Sequence, residues 1–339
     1  MTKIFLTGAT GYVGGETLHT LSNSTSNPLE ITALIRDESK AAQVLAAHPT
    51  TKIIIGDLDD TPLLTSQAEA ADIVINLAST SHAPSAKAIA TGLQNRANRT
   101  GKPGHWIQIS GATCYAASEI SSGHFGYPSS EVYDDVKDKS AILTLLRDNP
   151  KRVVENTVLA QKSEEVKTAL VIGPLIYGVG RGPVNQRSIQ APEIAKATIG
   201  LGHGIAINEG KNVWSNIHVS DLASLIHKLV DAAIEGKEGV WGEQGVYNVE
   251  GGELAFATLG QLIADKAHGQ GLIPHSSNDE FEAITAERAD ELSGHASVLW
   301  GTNARTRASR ARKLLGWETR GLALQDTLED LVRREGGAI

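Results

Sequence analysis

The chain has 339 residues, 41% of them hydrophobic and 21% charged, with a net charge of -8. That length builds one large or two modest domains with a substantial core, and the negative balance argues against nucleic acid or an anionic membrane as the main partner. The single cysteine, Cys114, excludes an internal disulfide and a Cys-based zinc site, and no two histidines stand at a ligating H-x-x-x-H spacing, so no metal site is expected.

The N-terminus reads as a strand running at once into a Gly-rich turn rather than as a signal peptide, and no apolar run approaches membrane-spanning length. A reducing, cytoplasmic setting is therefore the default expectation. Strand-like runs at 3–8, 30–36, 51–57, 72–79 and 105–112 alternate with helical patterns at 11–23, 37–48, 59–70 and 85–101. The strands are nearly continuous apolar runs, which points to a parallel sheet covered on both faces.

Between 111 and 150 Gly, Ser, Pro and acidic residues predict a long loop and then a short helix. A helix over 151–163 and a sixth strand over 166–174 follow. Beyond them come a Gly-rich loop, helices near 192–201 and after 217–223, a strand over 245–253, helices over 259–269 and 309–317, and an amphipathic end over 323–334. The expected fold is α/β, a Rossmann-type doubly wound parallel sheet with a smaller, mostly C-terminal substrate-binding domain. The expected division is 1–174 and 175–339, with a segment near 214–250 returning to the first domain.

In TGATGYVGG, glycines stand at 8, 11 and 14, after the first strand and at the head of the first helix. Gly8 permits the sharp turn, Gly11 lets the backbone approach a pyrophosphate, and Gly14 lets helix and strand pack closely. Thr10, Tyr12 and Val13 complete the expected phosphate-binding turn. At the end of the second strand an acid would hold the two ribose hydroxyls of NAD, whereas a cation pairs with the 2′-phosphate of NADP. Here Arg36 comes first, Lys40 follows one helical turn on, and Asp37 has the position of a helix cap. NADP is favoured, with NAD the alternative. Asp57 and Leu58, after the third strand, are placed to meet the adenine; Ala78 and Ser79, after the fourth, are small enough for the cofactor to lie against the backbone.

These residues resemble the short-chain dehydrogenase/reductase superfamily, in its extended or atypical branch of NAD(P)-dependent epimerase/dehydratase-like proteins. TGATGYVGG, GDL (56–58), GPLIYGVG (173–180), IHVSDLA (217–223) and ARKLLGW (311–317) are similar to motifs of that family in the same order, and GRGPVNQRSIQAP resembles fungal members. The resemblance implies hydride transfer to or from nicotinamide. A Tyr serves as acid or base, a Lys lowers its pKa and holds the ribose, and a Ser or Thr orients the substrate. Ser110 takes the last role, with Thr113 the runner-up.

The implied Tyr-x-x-x-Lys pair is harder to place. The helix before the sixth strand carries Glu155 where relatives carry an acid, with Lys151 four residues before it, but the residue four before Lys151 is Arg147. The substitute pair is Tyr133 and Lys137, in SSEVYDDVKDKS. There Ser130 has the place of an N-cap, and Asp134 and Asp135 would raise the phenol's pKa, so an exposed, capped helix start is the better-supported reading. Tyr177, Asn185, Ser188 and Trp214 are candidates for the substrate pocket.

The expected activity is NADP-dependent reduction of a carbonyl or imine in a small metabolite. The alternatives are an NAD-dependent epimerase or dehydratase acting on a sugar-like substrate, and an NADP-sensing protein without catalysis. The expected partner is a small-molecule substrate, with no nucleic acid and no membrane; by resemblance to relatives that pair flanking helices, the helix at 85–101 offers a homodimer surface, though it also reads as an ordinary amphipathic helix.

Overall fold

The computed structural model describes residues 1–24 and 27–337. The first half is built from β1 (Thr2–Thr7), α1 (Tyr12–Ser22), β2 (Leu29–Ile35), α2 (Glu38–Ala47), β3 (Lys52–Ile55), α3 (Thr61–Ala70), β4 (Ile73–Asn76), α4 (Ala83–Thr100) and β5 (Gly104–Gly111). Then come α5 (Ala117–Ser122), β6 (Tyr133–Asp134), α6 (Lys139–Arg147), α7 (Val153–Leu159), β7 (Val166–Gly173) and β8 (Leu175–Tyr177). The remainder comprises α8 (Gln190–Leu201), β9 (Gly204–Ile207), β10 (Val213–His218), α9 (Val219–Ile234), β11 (Val246–Asn248), β12 (Gly252–Ala255) and α10 (Phe256–Gly269). It ends with β13 (Phe281–Ile284), α11 (Ala286–Leu292), α12 (Ala296–Gly301), β14 (Thr306–Arg307), α13 (Ser309–Leu315) and α14 (Leu324–Glu335).

Seven parallel strands form the main sheet in the order β3-β2-β1-β4-β5-β7-β11. Successive side chains on a strand face opposite sides, and that alternation divides the core in two. Ile4 and Leu6 of β1 join Leu18, Val44, Leu225 and Trp317 under α1, α2 and α9, while Phe5 joins Leu64, Ile89, Trp106 and Val158 under α3, α4 and α7. Both faces are covered, which is why the strands carry so few polar residues. The helices start where side chains can accept their free N–H groups: Asp37 caps α2, Asp60 caps α3, and His82 caps α4.

Strand order reverses between β1 and β4. In a doubly wound sheet that reversal opens a crevice at the carboxyl ends of the strands. A second layer lies at this end of the molecule: a three-stranded sheet in the order β12-β10-β8, the β9–β13 pair, and helices α8, α10 and α14 packed on one another. Among the described residues no helix is long and apolar enough to cross a membrane.

Two expected elements differ. The single strand over 245–253 is two: β11 extends the main sheet beside β7, and β12 pairs antiparallel with β10. The chain changes sheets at Gly251, whose N–H bonds the Asn216 carbonyl. The helix expected to start at Ser130 is absent, and Tyr133 and Asp134 instead form β6, paired in parallel with β14.

Candidate cofactor and active site

A cavity of about 480 Å³ occupies the crevice, lined by Thr7, Gly8, Thr10 and Gly11 from the first turn, Arg36, Asp57 and Leu58 from the next two strand ends, and Ala78, Ser79 and His82 beyond β4. The turn needs its glycines. Gly8 has φ +83, and a Cβ there would press to 2.7 Å of the Leu77 carbonyl carbon and the Ala78 nitrogen. A Cβ on Gly14 would collide with the Gly8 carbonyl oxygen. Gly11 is the N-cap of α1, so the N–H groups of Tyr12 and Val13 head the helix with no intrahelical acceptor. This bed of backbone donors, at the positive end of a helix whose N-cap Gly11 lines the cavity, fits a diphosphate. The Tyr12 side chain turns away and donates to the Gly178 carbonyl at 2.6 Å.

At the far end of the cavity, the roles of Arg36 and Asp37 separate. One oxygen of Asp37 accepts the Ser39 and Lys40 N–H groups, at 2.8 and 3.1 Å, and the Ser39 hydroxyl at 2.6 Å. These bonds hold its carboxyl below the usual range, the Ser39 hydroxyl most of all. Arg36 is exposed and lines the cavity, whereas Lys40 lies further into α2 and outside the lining. Asp57 also spends an oxygen on its own turn, accepting from Asp59 and Asp60 N–H at 2.9 and 3.2 Å. The Ser79 hydroxyl accepts from Ser81 and His82 N–H.

A buried polar chain that sequence reading missed braces the carboxyl ends of the strands. The Thr7 hydroxyl donates to Asn76 Oδ1 at 2.5 Å, Asn76 Nδ2 donates to Gln108 Oε1 at 2.8 Å, and Gln108 Nε2 donates to the Ser79 carbonyl at 3.1 Å. Polar residues inside otherwise apolar strands were the available signal, because a buried amide must find partners.

Past β5, Ser110 is 2% exposed and donates to Glu155 Oε1 at 2.7 Å. Arg152 Nη1 donates to that same oxygen at 3.2 Å, and its Nη2 donates to the Thr113 hydroxyl at 2.9 Å. Ser110 and Thr113 are therefore joined through Glu155 and Arg152, and Arg152 was not foreseen. Pro150 delays the start of α7 to Val153, which leaves Lys151 exposed and turns Arg152 inward. Burial pushes the neighbouring Cys114 thiol up to about 12, so it is no thiolate nucleophile.

Tyr133 and Lys137 do not share a helix face. Lys137 is exposed, and the Tyr133 ring stacks on Tyr115 with centroids 4.7 Å apart. Burial, then Glu131, raises the Tyr133 phenol, and the flanking aspartates are not among the leading causes of that shift. They are structural instead. Asp134 accepts the Ser309 hydroxyl at 2.6 Å and the Val136 and Lys137 N–H groups. Asp135 accepts the N–H groups of Asn248 at 3.0 Å and Arg310 at 2.8 Å, tying β11 to the start of α13. Tyr115 donates to Asn248, whose amide donates to the Tyr133 carbonyl. The stretch is a buried tie between chain segments, not an acid pair on a helix.

Burial raises Asp135 to about 6 despite those two donors. Its folded-state value lies above its unfolded value near 4, so its contribution to stability is complete below pH 4 and is lost as pH rises to 6. The loss amounts to about 3 kcal/mol. Urea unfolding of the native chain and Asp135→Asn between pH 4 and 7 is expected to show the native chain losing that much relative to the variant; a constant difference between them would refute the assignment.

The remaining expected residues lie elsewhere. Trp214 is 3% exposed, with its indole donating to the Thr302 carbonyl at 2.8 Å, so it is core and not a pocket wall. Tyr177 is likewise buried, donating to the Leu322 carbonyl at 2.8 Å. Asn185 and Ser188 line a second cavity, of about 920 Å³, between the 178–188 loop, His218 and α14. The loop is fastened to α1 by Arg181, which bonds the fully buried Glu16 carboxylate through its backbone N–H and guanidinium, and by Gly182, which lies against Gly15. Among the described residues there is no cluster of three or more His, Cys, Asp or Glu able to hold a metal.

Known proteins resemble this chain in sequence and in fold. The oxidase ucsJ of Acremonium sp is 35% identical over 98% of this chain and 97% of its own length. The PbgP3 protein of Burkholderia pseudomallei superposes with a TM-score of 0.65 at 13% identity, covering 99% of this chain and 98% of its own. The dTDP-glucose 4,6-dehydratase of Bacillus anthracis, solved in complex with NAD, gives 0.64 at 16% identity, covering 98% and 96%. At those identities the structural likeness speaks to the fold. The model of the NAD dependent epimerase/dehydratase family matches residues 4–249, and the chain belongs to that family.

Proposed function

We propose that this protein is an NADP-dependent oxidoreductase that reduces a carbonyl or imine carbon of a small metabolite. The observation that carries the choice of NADP is the division of labour at the end of β2: Asp37 is committed to capping α2, and Arg36 lines the cavity. An acid spent on a helix end is a poor partner for a ribose diol, while an exposed guanidinium suits a phosphate monoester. In this reading the head of α1 holds the diphosphate, Arg36 the 2′-phosphate, and Asp57 and Leu58 the adenine side. Bound NADPH supplies a hydride.

Oxidoreduction with a freely exchanging NADPH is favoured over epimerisation by the same end of the cavity, since a 2′-phosphate site suits a cofactor that arrives reduced and leaves oxidised. The test is NADPH consumption with a panel of aldehydes, ketones and imines. Net consumption with at least one of them is expected, and Tyr133→Phe is expected to leave it unchanged, because that ring serves the Tyr115 stack. Binding of NADP without consumption on any member would instead support the sensing role, and turnover of a sugar nucleotide without net cofactor consumption would support the epimerase.

A further inference from the structure

We propose that Arg152 positions the nicotinamide half of the bound dinucleotide, an inference that rests on the NADP reading above. The guanidinium carries five N–H donors. One goes to Glu155 at 3.2 Å and one to Thr113 at 2.9 Å, which leaves three unspent on a side chain that is only 15% exposed. Glu155 is 1% exposed, and its second carboxylate oxygen is buried without a partner. The carboxylate thus holds one terminal nitrogen of Arg152 through a single oxygen that Ser110 also holds, and the guanidinium's remaining N–H groups are left for a ligand.

The course of the dinucleotide brings it to this point. Its adenosine end belongs over β2 and β3, where Arg36 and Asp57 line the cavity, and its diphosphate at the head of α1. The other half must then run the opposite way along the carboxyl ends of the strands, over β4 and β5. Gln108 ties the Ser79 carbonyl, in the cavity wall, to β5, and Thr113 stands just past that strand. Arg152 reaches this part of the edge through its bond to Thr113, whereas Lys137 and Lys151 are exposed. Nicotinamide riboside offers hydroxyl and carboxamide oxygens, and a planar, pre-oriented guanidinium with several donors suits that set better than an ammonium.

The test is calorimetry with two probes that share the adenosine end: NADP⁺, and 2′,5′-ADP, which lacks the nicotinamide half. Arg152→Ala is expected to weaken NADP⁺ by about tenfold to a hundredfold and to leave 2′,5′-ADP within about twofold. Arg152→Gln keeps an amide donor toward Glu155, guards against loss of folding, and should give the same split in milder form. Equal loss of both probes, or loss of neither, overturns the inference while leaving the NADP reading in place. A native chain that binds neither probe overturns both.

Discussion

Replacing Gly14 with alanine is expected to lower affinity for either nicotinamide nucleotide by about a hundredfold, equivalent to nearly 3 kcal/mol. The new methyl would lie 1.9 Å from the Gly8 carbonyl oxygen, so the turn has to open, and the opening displaces the amide donors at the head of α1. The clash is between backbone atoms and has no flexible side chain to absorb it. Gly200→Ala is the matched control. That glycine is exposed near the end of α8 with nothing within 4 Å of the added Cβ, so the substitution should leave binding unchanged and stabilise the helix by up to about 1 kcal/mol. Calorimetry and thermal unfolding of the two variants check this together. Undiminished binding by a folded Gly14→Ala would show that the diphosphate does not sit at this turn.

Arg36→Ala is expected to weaken NADP⁺ by about tenfold to a hundredfold, the value of one charge-assisted contact to a phosphate, while leaving NAD⁺ within about threefold. The companion change, Asp37→Ala, should lower stability through the lost cap on α2 and leave NAD⁺ affinity unaltered, because that carboxylate is turned into the helix. A fall in NAD⁺ affinity on Asp37→Ala would mean instead that the acid reads the ribose. Titrations of both nucleotides against both variants separate these outcomes.

Much of the fold and of the cofactor site is legible in local chemistry alone. The continuous apolar strands announce a sheet covered on both faces, and the three glycines after β1 can be assigned one by one, because each answers a constraint within a few residues of itself. The cap role of Asp37 is visible for the same reason. What escapes depends on contacts distant in sequence. Ser130, Tyr133 and Lys137 satisfy every local rule for a capped helix, yet pairing with Thr306 and Arg307 draws Tyr133 and Asp134 into a strand.

Asp134 and Asp135 have the look of solvated charges, and nothing nearby in the sequence reveals the Asn248, Ser309 and Arg310 donors that bury them. Arg152 is hidden by register. Counting back from Glu155 points to Lys151, but Pro150 sets the start of α7 so that the next residue reaches Thr113. The places of Trp214 and Tyr177 in the second half of the chain suggest a pocket wall, yet each is spent on a backbone carbonyl inside the core.

In the reading proposed above, cofactor recognition depends on a Gly-rich turn that grips a diphosphate and on an arginine that selects the phosphorylated nucleotide. Calorimetric titration of the native chain with NADP⁺ and NAD⁺ addresses both at once. The prediction is a single site that binds NADP⁺ at least about tenfold tighter than NAD⁺. Equal or tighter binding of NAD⁺, or no heat with either nucleotide, would contradict it.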